Sequence, residues 1–212
     1  MQTDIDKLSE YLNFLPLEQL ADLKKYYEAL IYFNAKINLV SKSTLPVAAK
    51  QHFFDSVKGL ELCNKYAQFN GTVYDFGSGN GFPGLVLAIL RRDVGLCLVE
   101  RDIRKVEFLK HVAAELKLSN VTVFPRSYSD LDSQMVSQGV TRALGSVASL
   151  LIQMNSLFAS GAVLFHFKSE NWSTEIANCP TQVFSSWDIQ TVGQYAIPET
   201  NVDRFIIAST RR

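Results

Sequence analysis

Leu20, Leu23, Tyr27, Leu30 and Ile31 recur at steps of three and four, which predicts one amphipathic helix over about 17–34. Pro16 suits its first turn. Ser43 or Thr44 is placed to cap a short helix beginning near Leu45, and Phe53, Val57 and Leu60 predict another over about 52–63. The texture changes at Asn70-Gly71. Beyond it, short apolar runs at 72–76, 94–100, 121–124, 139–142 and 162–167 read as strands, the last one after a turn at Gly161. Helical patterns at 83–91, 104–118 and 147–158 separate them. That alternation predicts an α/β domain with a parallel sheet. Two more strand-like runs, 181–191 and 203–210, have no helical pattern between them and predict an antiparallel pair. Residues 1–70 read as a helical cap packed on a domain formed by 71–212, the whole being one structural unit.

Composition narrows the class. Apolar residues at 47% and charged residues at 20% suit a folded chain with one sizeable core, not a disordered one. No apolar run approaches the roughly 18 residues a spanning helix needs. Asp4 and Asp6 stand where a secretory leader carries positive charge, so a cytoplasmic protein without membrane contact is expected; a monomer is expected as well. Twenty-one basic and 21 acidic residues cancel, which excludes a grip on nucleic acid by bulk charge. Local basic surfaces remain open: six lysines and two acids lie between Lys24 and Lys58, and eight basic residues and five acids between Arg91 and Arg126. Either cluster also fits an ordinary solvated face. Three dispersed cysteines and three dispersed histidines have no metal-ligand spacing, and no metal is expected.

The sharpest signal is Asp75-Phe76-Gly77-Ser78-Gly79-Asn80-Gly81-Phe82-Pro83-Gly84, between a predicted strand and a predicted helix. Glycines there permit a sharp turn and close approach of a ligand to the main chain. The helix start offers free N–H groups. Gly79-x-Gly81-x-x-Gly84 matches the dinucleotide fingerprint in letters. Asp75 argues against a pyrophosphate at that strand end and for S-adenosylmethionine, whose ammonium it can hold. Glu100, ending the next strand, is placed for the ribose hydroxyls of either ligand. No Lys-Ser/Thr follows the glycines, which excludes a P-loop.

Other motifs narrow the methyl acceptor. No Asn/Asp-Pro-Pro-aromatic tetrapeptide follows the fourth strand, and no cysteine has a setting suited to attack on a pyrimidine. Guanine N7 needs neither, having an exposed lone pair and no proton. Arg142 follows a strand and is a candidate functional residue. Arg101, Arg104, Lys105 and Arg126 are candidates for a phosphate groove.

With Ile37-Asn38-Leu39-Val40-Ser41, His52-Phe53-Phe54-Asp55-Ser56, the glycine turn with Phe82-Pro83-Gly84, and Thr141-Arg142-Ala143, the chain resembles the ribosomal small-subunit RNA methyltransferase G family, also called glucose-inhibited division protein B. The resemblance runs from roughly Leu30 to Lys168. It implies a Rossmann-like class I methyltransferase fold: a mostly parallel seven-stranded sheet with an antiparallel C-terminal pair and an N-terminal helical cap. It implies N7 methylation of one guanine in 16S ribosomal RNA, free or in the small subunit, with S-adenosyl-L-methionine as donor. The donor is then expected against Asp75, Gly77, Gly79, Gly81, Phe82, Glu100, Ser127, Tyr128 and Arg142, with Arg142 also catalytic. Asn38, His52, Arg101, Lys105, Arg126 and Lys168 are expected to face RNA. Ser127-Tyr128 departs from the family's small residue followed by Glu, which removes a carboxylate from the adenine side. Asn38, His52, Asp55 and Ser56 fit equally well as hydrogen-bonding residues of the cap. The alternatives left open are an RNA-binding or assembly module that keeps the fold, a dinucleotide-dependent oxidoreductase, and a small-molecule methyltransferase.

Overall fold

A computed structural model describes residues 2–212; Met1, at the head of the segment read above for a leader, lies outside it. Three helices come first: α1 (Gln2–Tyr11), α2 (Leu17–Asn34) and α3 (Asp55–Tyr66). The apolar stripe of α2 is buried as the periodicity requires, with Leu23, Tyr26 and Leu30 at 0% exposure. Each such side chain stabilises the fold by roughly 1.5–3 kcal/mol. A π-helical turn, Ala49–Phe54, runs into α3, so the helix predicted over 52–63 is two elements.

The sheet comprises β1 (Thr72–Phe76), β2 (Gly95–Val99), β3 (Val121–Phe124), β4 (Val136–Arg142), β5 (Phe158–Lys168), β6 (Trp187–Ala196) and β7 (Asp203–Arg211). Its order is β3-β2-β1-β4-β5-β7-β6, and β7 runs antiparallel to both neighbours. Helices α4 (Gly84–Leu90), α5 (Ile103–Glu115) and α6 (Val147–Gln153) follow β1, β2 and β4. Two short helices, α7 (Trp172–Ala177) and α8 (Thr181–Ser186), lead into β6. One contiguous core joins Leu8 of α1, and Leu12 just beyond it, to Leu98 of β2 and Ile206 of β7, so the helical segment shares a core with the sheet.

Four expectations are corrected. The run 181–191 is not one strand: 181–186 is helix α8, and only Trp187 onward pairs with β7. The helix from Val147 stops at Gln153 instead of reaching Phe158, which already pairs with Val136 on β4. Gly161 (φ +79°) does not precede β5 but lies inside it, where the register jumps from Val136↔Phe158 to Gln138↔Val163; it relieves a bulge. The fourth strand begins at Val136, three residues before the expected Gly139.

Candidate active site

The parallel register builds the site. Phe76 is paired with Val99 on one side and Thr141 on the other, so Gly77, Glu100 and Arg142 leave the sheet in one row. This row marks the point where the strand order reverses, between β1 and β4, the usual ligand position in such sheets. Two cavities meet there, of about 590 Å³ and about 450 Å³, and Gly77 and Ala143 line both. Ala143 has φ +57°, a left-handed conformation that a non-glycine residue seldom adopts.

The smaller cavity lies over β1, β2 and β3. Gly79, Glu100, Arg101, Lys105, Arg126, Ser127 and Tyr128 line it. Gly77 (φ +70°) and Gly79 (φ +51°) hold left-handed turns, and a Cβ on Gly77 would meet Leu144 at 2.6 Å. The Gly77 and Ser78 N–H groups both donate to the Val99 carbonyl. Glu100 accepts from the Gly79 N–H through Oε2 and from the Asp102 N–H through Oε1, each at 2.8 Å. Each oxygen keeps a second lone pair for a ribose hydroxyl. Ser127 turns inward to accept from the Ser129 N–H, and the Tyr128 hydroxyl donates to Gln153 at 2.6 Å.

The larger cavity lies between β4, β5 and the helical cap. Arg142 is its centre, and its guanidinium is held by three acceptors. Nη1 donates to Asp55 Oδ2 at 2.9 Å and to the Gln51 carbonyl at 3.4 Å, and Nη2 lies 2.9 Å from His52 Nδ1. Arg142 also stands over the Phe82 ring, 5.2 Å from its centroid, and His52 stacks on the same ring. Arginine only donates, so His52 Nδ1 accepts and the ring proton sits on Nε2. Burial, with Arg142 and Arg204 nearby, pushes the imidazole down to about 3. Asp55 is buried and also meets the Tyr195 hydroxyl and Arg204. Lys168 lines the cleft but is engaged: its Nζ donates to Glu175 at 2.9 Å and to the Gly145 carbonyl at 3.0 Å.

Four expected contact residues stand outside both cavities, among them Arg104, which is exposed and paired with Asp102 at 3.2 Å. Asp75 is buried beneath the turn, where Oδ2 accepts from the Gly84 N–H at 3.1 Å and clamps the start of α4. Its Oδ1 has no partner, and burial pushes the carboxyl up to about 7. Gly81 (φ +89°) is a packing glycine: a Cβ there would meet Leu85 at 2.5 Å and the Tyr26 hydroxyl at 2.6 Å. Asn38 is exposed and off the cleft, while its successors Leu39, Val40 and Ser41 line it. Phe82 lines the larger cavity only. Gln51, Tyr195, Arg204 and Glu175 were not found from the sequence. Tyr195 and Arg204 reach the site through long-range packing, for which no local spacing exists, while Gln51 contributes a main-chain carbonyl, which no side-chain pattern marks.

The donor set suits S-adenosylmethionine. Glu100 and the open glycine turn offer a ribose and main-chain site, and buried Asp75 Oδ1 leaves an unused acceptor beneath the turn. Strand order and site together define a class I, S-adenosylmethionine-dependent methyltransferase. The family model of rRNA small subunit methyltransferase G matches residues 19–200. A relative from Bdellovibrio bacteriovorus, ribosomal RNA small subunit methyltransferase G 3, is 38% identical over 192 residues, covering 91% of this chain and 87% of its own. The chain belongs to the rRNA small subunit methyltransferase G family. Among solved structures, precorrin-6y C5,15-methyltransferase from Geobacter metallireducens shares the fold at a TM-score of 0.55 and 12% identity, over 83% of this chain and 92% of that one. TYW2 from P. horikoshii, in complex with MeSAdo, does so at 0.55 and 14%, over 84% and 66%.

Proposed function

We propose that the protein transfers the methyl group of S-adenosylmethionine to N7 of one guanine in small-subunit ribosomal RNA. The donor lies in the smaller cavity along Gly77, Gly79, Glu100, Ser127 and Tyr128, and the guanine enters the larger one beside Arg142. One observation carries the choice of acceptor: the bases lining the larger cavity are tied down. Asp55 is paired with Arg142, Glu175 accepts from Lys168 and the Val147 N–H, and His52 Nδ1 is taken by Arg142. A site with no free base suits an acceptor that needs none, and guanine N7 is one.

When bound, the donor supplies an electrophilic methyl carbon on a sulfonium. The protein's part is alignment. Phe82 and Asp55 hold the Arg142 plane, leaving Nε–H and one Nη2–H unused by the protein for acceptors on the Hoogsteen edge, of which O6 is one. Gly77 and Ala143 have small side chains at the partition, so donor and acceptor can approach there. Arg101, Lys105 and Arg126 at the outer rim supply phosphate contacts. The test is transfer of labelled methyl from S-adenosylmethionine to RNA in isolated small subunits lacking the modification. Incorporation into their ribosomal RNA supports the reading, and incorporation into protein or none at all refutes it.

A further inference from the structure

The loop between β4 and α6 separates the two cavities. Ala143 lines both, and Leu144 and Gly145 line the smaller one. Leu144 rests on the glycine turn, since a Cβ added to Gly77 would lie 2.6 Å from its Cδ1. Ala143 holds a left-handed backbone at φ +57°, which persists in a non-glycine residue only where the surroundings impose it. On one flank the three acceptors around the Arg142 guanidinium supply that hold. On the other flank an ion pair does. Lys168, the last residue of β5, donates to the Gly145 carbonyl at 3.0 Å and to Glu175 Oε1 of α7 at 2.9 Å. The same Glu175 oxygen accepts from the N–H of Val147, the first residue of α6. That N–H has no partner inside its own helix, and the Ser146 hydroxyl serves Ser149 instead.

The pair is secluded, with side chains 16% and 24% exposed. Lys168 spends two of its three N–H bonds inside the protein. Arg101 and Arg126, by contrast, are exposed. We propose that Lys168 and Glu175 are positioning residues: as a pair they clamp the 143–147 loop and hold Leu144 and Gly145 as the wall of the donor site. Lys168 then serves the donor and does not contact RNA, the role the family resemblance implied for it. This rests on the reading of the smaller cavity as the donor site.

Lys168→Met keeps the stem and removes the ammonium. Glu175→Ala removes the shared acceptor, and Glu175→Gln keeps an oxygen for the Val147 N–H. Without the clamp the loop relaxes from its left-handed turn, and Leu144 shifts over Gly77.

Two measurements test this. The first is amide hydrogen exchange of the ligand-free protein. Lys168→Met is the informative change, because Lys168 holds a carbonyl of the loop and not an amide. Exchange at 144–147 should quicken about tenfold in Lys168→Met and in Glu175→Ala, with β4 and β5 as protected as in the parent. Glu175→Gln should retain most of the protection. Unchanged loop exchange in Lys168→Met, or faster exchange throughout the sheet, overturns the clamp. The second is titration calorimetry with S-adenosylhomocysteine, beside the salt dependence of affinity for small-subunit ribosomal RNA. Lys168→Met should bind S-adenosylhomocysteine about tenfold more weakly and keep the parental salt slope. Parental S-adenosylhomocysteine affinity with a salt slope reduced by about one would make Lys168 a phosphate contact and overturn the proposal. A loosened loop with parental affinity overturns the donor-wall role. Parental affinity in a folded Gly79→Val variant refutes the donor placement alone, with the exchange measurement still deciding the clamp.

Discussion

In the proposed reaction Arg142 is the central residue, and its surroundings give the reason that lysine should not replace it. Its acceptors, Asp55 Oδ2, the Gln51 carbonyl and His52 Nδ1, are spread around a planar fork that an ammonium does not possess. Arg142→Lys should therefore lose most of its activity although the charge is kept. Arg142→Ala should lose about 2–4 kcal/mol of transition-state stabilisation in single-turnover kinetics. An Arg142→Lys enzyme with parental rates would show that charge alone matters. Asp75 gives a second prediction, about stability. Its folded value is raised from 3.8 to about 7 by burial, so between those limits the folded protein keeps a proton that the unfolded chain has lost. Stability contributed by this group therefore falls as pH rises from about 4 to 7, by an amount on the order of a few kcal/mol. The two buried histidines act in the opposite sense. Held down to about 3, His52 and His166 lose their contribution as pH falls from 6.5 toward 3. Asp75→Asn keeps an acceptor for the Gly84 N–H. In urea unfolding without donor, its stability relative to the parent should grow between pH 5 and pH 8. A difference independent of pH would place the Asp75 carboxyl at its ordinary value.

At the scale of elements, the strand-turn-helix around Gly77–Gly84 was legible because each part of its chemistry is local. The glycines, the strand before them and the helix after them all lie within about a dozen residues. Glu100 was legible for the same reason, one strand further on. Asp75 was legible by its place before the turn, but its hydrogen bond was not: the sequence cannot show that the Gly84 N–H lies 3.1 Å from its carboxyl group. The short α7 and α8 were missed because six-residue helices carry too little periodicity to separate from strands. Helix α1 falls within the segment read as a helical cap, and Ile5 and Leu8 share its helical spacing. Tyr195 lies 140 residues from Asp55, and only the completed sheet brings them together. The turn yields a prediction of its own. A Cβ on Gly79 meets no protein atom closer than 3.5 Å, so a larger side chain has room but projects from a left-handed backbone beside Glu100. Gly79→Val should fold at a loss of about 1–2 kcal/mol and bind S-adenosylhomocysteine far more weakly in titration calorimetry. A folded variant with parental affinity would move the donor away from this turn.

For the whole molecule, the fold class followed from the alternation of strand and helix patterns, and the antiparallel final pair from the missing helix between the last two strands. We propose that residues 1–70 and 71–212 fold as one unit, because one of the two hydrophobic cores runs through both. The net charge of zero means that attraction to RNA must be local. Arg101, Lys105 and Arg126 line the smaller cavity, and Arg204 lines the larger one. If about four phosphates are contacted, log affinity for RNA should fall with log salt at a slope near −3 to −4, while donor affinity barely changes. A slope near zero for RNA would make these groups an ordinary solvated face. The most direct test of the central claim is to map methylated bases in small-subunit ribosomal RNA after reaction of unmodified small subunits with the purified protein and S-adenosylmethionine. The account predicts N7-methylguanine at a single position, absent with Arg142→Ala; methylation at another atom or of another base, or none, would contradict it.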